Sequence, residues 1–144
     1  MFPAFQFETV YQDEFVLAQL DSNLSFIYVE WSQHPDSQQF KTTFQKVAEM
    51  TVQSECKYWL SDPRAIHYLE FGNQNWLLND MMPLLRQSKL HRFARLVTKE
   101  SLELMDIVQV YDKLTVGSEA LGIKTRFELF LDKEDALEWL FADV

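Results

Sequence analysis

A single cysteine, Cys56, stands in the chain, so no intramolecular disulfide can close and no cysteine-based zinc site can form. That usage suits a reducing compartment. Glycine is equally scarce: Gly72, Gly117 and Gly122 are scattered, so the sequence has no glycine-rich phosphate loop. His34, His67 and His91 show no metal-ligand spacing. No apolar run approaches the ~20 residues of a membrane-spanning helix. Residues 1–10, interrupted by Pro3, Gln6 and Glu8 and lacking a basic start or a small-residue cleavage site, do not read as a signal peptide. These absences predict a cytoplasmic protein with no metal, no cofactor and no membrane insertion.

Positive charge is also in short supply. Lys and Arg number 13 against 22 Asp and Glu, a formal net charge of -9 that repels phosphate backbones and anionic lipid and argues against nucleic-acid binding. One stretch dissents: Arg86, Lys89, Arg92, Arg95 and Lys99 follow one another with His91 and no acid between them. A helix end running into a strand accounts for this pattern, since the macrodipole favours cations there. The alternative is a contact for an acidic partner or a second copy of the chain.

What the chain does have is apolar and aromatic bulk, 47% hydrophobic and 15% aromatic over 144 residues. That length fits one domain, residues 1–144, able to bury roughly two-thirds of its unfolded surface. Residues 15–20 and 24–31, separated by Asp21-Ser22-Asn23, read as a β-hairpin. In the second strand Leu24, Phe26 and Tyr28 share one face and Ile27, Val29 and Trp31 the other, so it is predicted to be buried on both sides. Residues 1–11 are either an N-terminal arm or an extra edge strand.

Helix 1 follows Pro35 with Asp36 or Ser37 as its cap, and Phe40, Phe44, Val47, Ala48 and Thr51 form its apolar stripe. Tyr58-Trp59-Leu60 is then the central strand, and its position between two helices predicts parallel pairing. Helix 2 starts between Phe71 and Asn75, with Asn73 a candidate cap. Pro83 inside it predicts a kink near residues 80–82. A strand over 93–98 leads to a third helix carrying Leu102, Met105, Val108 and Tyr111 and ending near Gly117 or Gly122, although part of it also alternates as a strand would. The last strand is predicted over 126–131, and Asp132 caps a short final helix docked by Ala136, Leu137 and Leu140.

Several landmarks together carry a family likeness: Val29-Glu30-Trp31 closing the hairpin, Trp59-Leu60-Ser61-Asp62-Pro63-Arg64, Gln74-Asn75-Trp76 with Pro83, Arg92-Phe93-Ala94-Arg95-Leu96-Val97, and Ala136-Leu137-Glu138-Trp139-Leu140. Over about residues 12–142 the chain resembles an uncharacterised branch of the small bacterial STAS-like proteins, the SpoIIAA-like fold of anti-sigma factor antagonists. The resemblance implies a single α/β domain with a mixed, mostly parallel sheet of 4–5 strands that starts with an antiparallel hairpin, and about four helices mainly on one face. It also implies action by binding a protein partner, switched in relatives by a phosphoserine. That serine cluster is absent here, because Ser61 precedes Asp62 on the strand side.

Chemistry is hinted at only where the central strand ends. Asp62 and Arg64 flank Pro63 at its carboxyl end, where open α/β sheets place ligands. Ser61, Asp62, Arg64 and His67 are therefore the candidate interaction loop, with loop anchoring as the competing role of the Asp62/Arg64 pair. A Cys56, His67 and Asp62 triad fails on paper, since Cys56 precedes the strand and His67 follows it. The expected function is a non-catalytic interaction or regulatory module, binding a protein partner or forming a homodimer. The alternative is a small binder of an apolar ligand, suggested by four Trp, five Tyr, twelve Phe and five Met.

Overall fold

Asp21 organises the start of the domain. Strands β2 (Val16–Asp21) and β3 (Phe26–Trp31) pair antiparallel, and one Asp21 carboxylate oxygen accepts from the backbone N–H groups of Asn23 and Leu24 at 3.1 and 3.2 Å. This side-chain turn competes well with further strand pairing and reverses the chain. The second Asp21 oxygen accepts from the Gln6 N–H at 2.9 Å, which ties the N-terminal segment to the hairpin. Immediately after that segment, β1 (Glu8–Gln12) pairs antiparallel with β2, with a bulge between Thr9 and Tyr11. The computed structural model from which this architecture is drawn describes residues 4–66, 71–100 and 106–142.

The remaining strands are parallel. β4 (Tyr58–Asp62) lies beside β3, β5 (Arg92–Leu96) beside β4, and β6 (Arg126–Phe130) beside β5. The sheet thus has six strands in sequence order, mixed and antiparallel only at its start. The number corrects the expectation of 4–5: residues 8–12 form the extra edge strand that is one of the two readings of the N-terminal residues from sequence.

Four α-helices accompany the sheet: α1 (Ser37–Gln53), α2 (Phe71–Trp76), α3 (Asp106–Leu121) and α4 (Lys133–Leu140). Asp36 caps α1 in a reciprocal capping box with Gln39. Asn73, expected as a cap, lies inside α2 and accepts from the Ser37 hydroxyl at 2.9 Å. Ahead of Pro83 the helix widens into a π-turn over Leu77–Met81 and then tightens into a 3-10 segment over Met82–Gln87. The proline cannot donate the regular helical bond, and the change of pitch absorbs that loss at the place where the sequence predicts a kink. Gly122, with φ of 72°, follows the end of α3 in the left-handed conformation that glycine adopts without steric cost. Leu102 and Met105, assigned to this helix from the sequence, lie outside the described residues.

Each parallel connection moves one strand over in the same direction, so α1, α2 and α3 gather on one face. There Trp31, Phe40, Val47, Trp59, Phe93 and Tyr111 share a core. The last helix, α4, packs on the opposite face, placing Ala136, Leu137 and Leu140 against Phe26, Tyr28, Leu60, Ala94 and Leu96. β3 and β4 are therefore buried on both sides, as the bulk on both faces of residues 24–31 predicts.

Candidate functional site

Successive strand residues point to opposite faces, and this rule divides the candidate loop. Asp62 shares the α4 face with Leu60, while Ser61 lies on the other face with Trp59. On the α4 side Arg64 grips Asp62 with two parallel bonds, Nε to Oδ1 and Nη2 to Oδ2, both at 2.8 Å. The Arg64 backbone N–H also reaches Oδ1 at 3.3 Å. Asp62 is buried and its pair partner Arg64 half exposed. Both carboxylate oxygens are thus committed to the turn that Pro63 begins, which is what a loop anchor requires.

The same end of the sheet carries Tyr28 and Glu30, with Glu30 opposite Asp62 in register. Burial pushes the Tyr28 phenol up to about 12, and the negative charges of Glu30 and Asp62 add to the shift. The Lys133 ammonium stands 4.4 Å from the centroid of its ring. A phenol held this firmly protonated is a hydrogen-bond donor at neutral pH and not a base. His67, the fourth candidate of the loop, lies outside the described residues.

The other face of the same strand end opens into space. Between β3–β6 and the helical layer is a cavity of about 90 Å³, roughly six to nine times the space one water molecule needs. Its walls are Trp31, Phe40, Phe44, Trp59, Phe93 and Phe127, closed by Leu77 and Met81 of the π-turn and by Leu84 and Leu85 of the 3-10 segment. Only a few polar side chains join them, among them Ser61, Arg95 and Tyr111. Two polar atoms buried here find no hydrogen-bond partner, Trp59 Nε1 and Arg95 Nε. The Arg95 guanidinium carbon lies 5.7 Å from the centroid of the Tyr111 ring. Burial raises the Tyr111 phenol above its ordinary value while the Arg95 cation pulls the other way.

Arg95 is the site residue that the loop-based reading passed over. It belongs to the basic stretch, but the stretch does not form a patch. Arg86 Nε donates to the Leu121 carbonyl at 3.2 Å, Lys89 pairs with Glu55 at 3.3 Å, and Arg92 donates to the Trp139 carbonyl and covers its ring on the α4 face. Arg95 alone turns into the apolar layer. The signal was available: Arg95 alternates with Phe93 and Val97, so a cation sits within an otherwise apolar face of a buried strand.

Cys56 lies at the opposite end of β4 from the Asp62–Arg64 pair. It precedes β4 while Asp62 ends it, about 20 Å away at the ordinary rise of a strand, so the two cannot act together. Its thiol is buried and pushed up to about 11 by that burial. The folded protein at pH 8 is accordingly expected to resist iodoacetamide, and to be alkylated fully once denatured, when read by mass spectrometry. Rapid alkylation of the native protein would contradict this burial. Among the described residues no three His, Cys, Asp or Glu side chains come close enough to hold a metal ion, and no helix is long and apolar enough to cross a membrane.

Comparison of the chain with family models, with curated proteins and with solved structures finds no match.

Proposed function

We propose that this protein is a non-catalytic binding domain whose ligand is a small apolar molecule held between the sheet and the helical layer. The cavity carries the reading. Apolar walls with a few convergent polar groups are the usual form of a small-molecule site, but at about 90 Å³ this one is smaller than the roughly 300 Å³ such sites start from, so a ligand the size of octanol enters only as the roof moves outward. It runs from Leu90 and Phe93 to Ser61, Pro63 and Ile66, past the carboxyl end of β4, where parallel sheets place ligands. Its roof is the irregular π and 3-10 segment. Such a segment opens at lower cost than a regular helix, which gives a ligand a way in.

The protein-interaction reading has less to stand on. Its loop spends Asp62 and Arg64 on each other, and the basic stretch is dispersed over several elements. The SpoIIAA-like kinship is retained as part of the proposal, supported by the antiparallel start, the parallel remainder and the three helices on one face, with β1 as an addition at the edge. The lone Cys56 favours a reducing, cytoplasmic setting.

Octanol provides the test. Trp31 and Trp59 line the cavity, so saturable octanol binding is expected to change tryptophan emission and to register one site per chain by calorimetry. Ala48 lines the same space. Ala48→Leu is expected to weaken octanol binding by roughly tenfold, about 1.4 kcal/mol, while leaving the melting temperature equal or higher because it fills a void. A wild-type protein silent to octanol up to its solubility, or an Ala48→Leu variant binding it unchanged, would remove the basis for the reading.

A further inference from the structure

Resting on the cavity reading, we infer that the ligand is a monocarboxylic acid with an apolar tail, and that Arg95 receives its carboxylate. The chain carries 22 acidic residues against 13 basic ones, and it uses acids to pair cations elsewhere, Asp62 with Arg64 and Glu55 with Lys89. Among the described residues no carboxylate forms an ion pair with Arg95. The Arg95 guanidinium meets Tyr111 over its ring at 5.7 Å and through a hydrogen bond to the phenol oxygen, but its Nε–H is sealed from solvent without an acceptor. Arg95 as a whole is half-buried, so the cost falls on its sealed Nε–H, which stays unsatisfied until an acceptor reaches it.

The neighbouring polar groups are also hydrogen-bond donors. Trp59 Nε1, on the adjacent strand, is buried without an acceptor. Ser61, whose hydroxyl can donate, stands opposite Arg95 in register and lines the same cavity. A carboxylate matches that set, since it is acceptor-only and two of its lone pairs fit the planar fork of an arginine. The aromatic and aliphatic walls take the tail. A doubly charged phosphate would need more cations than the cavity presents, because among the described residues Arg95 is the one charged side chain in its lining.

The experiment compares octanoate with octanol, two probes with equal chains and different heads, by calorimetry at pH 7, where a carboxylic acid is ionised. Wild-type protein is expected to bind octanoate at least about tenfold more tightly than octanol. Arg95→Met is expected to lower octanoate affinity by roughly thirtyfold while holding octanol within about threefold, and Arg95→Lys to restore part of the difference. Octanol binding equal to or tighter than octanoate in the wild type overturns the carboxylate inference and leaves the cavity reading standing. Equal loss of both probes in Arg95→Met also overturns it, as a structural role would produce that result. Binding of neither probe overturns both. The wild-type comparison needs no variant, so it decides the matter even if Arg95→Met fails to fold.

Discussion

Leu60→Ala is expected to lower the free energy of unfolding by roughly 3–4 kcal/mol, in the upper half of the range for a buried leucine. Leu60 has no exposed surface and stands in β4, which is hydrogen-bonded to a parallel strand on either side. Neither neighbour can shift to fill a void without breaking a ladder. Around it on the α4 face lie Ala94 and Ala136, both fully buried and too short to reach inward. The vacancy therefore persists, and its cost adds to the lost transfer free energy of the side chain. For a chain of this length the melting temperature is expected to fall by about 10 °C. Leu60→Met, which conserves volume, is expected to cost under about 1.5 kcal/mol. Urea denaturation of both variants measures the contrast, and a Leu60→Ala loss below about 1 kcal/mol would show that α4 docks loosely enough to collapse into the vacancy left by the side chain.

The same strand shows what the sequence could and could not disclose. Apolar bulk on both faces of residues 24–31 and at 58–60 announced strands buried on two sides, because period-two alternation maps directly onto the faces of a sheet. Capping residues announced α1 and α4, because a carboxylate at a helix start satisfies orphaned backbone donors within three residues. These are local effects. The candidate site was less legible because it is built across elements: Ser61 was grouped with Asp62 as a loop neighbour, whereas the pleat sends them to opposite faces and gives Ser61 to Arg95 of the next strand. Arg95 looked like one charge in a basic run until strand register separated it from Arg92. Space between packed elements has no sequence signature at all, since the same aromatic residues fill a cavity or line one according to the angle of the helices above them.

The N-terminal arm is the second place where a large loss is expected, because α4 is too short to cover the whole of its face. That helix spans eight residues and packs mainly on β4, β5 and β6, so Phe26 and Tyr28 of β3, which share its core, need further cover. The arm does so: the Phe5 ring lies 5.2 Å from Phe26 and 6.1 Å from Phe141, and the Phe7 ring 6.2 Å from Tyr28. The two rings also stack on each other at 5.3 Å, with the Gln6 N–H between them bonded to Asp21. Replacing one half-buried phenylalanine by serine is expected to cost about 1.5–2 kcal/mol. Phe5→Ser with Phe7→Ser together is expected to cost roughly 2–3 kcal/mol, less than the sum of the single losses because both remove the same ring contact. A double-mutant cycle should return a coupling of about 0.5–1.5 kcal/mol from the ring contact. The uncovered Phe26 and Phe141 should then form an apolar patch that binds a hydrophobic dye while octanol binding on the opposite face persists. Were the double variant within about 1 kcal/mol of the wild type, the arm would be a passive extension and the β3 surface beneath it would need another cover.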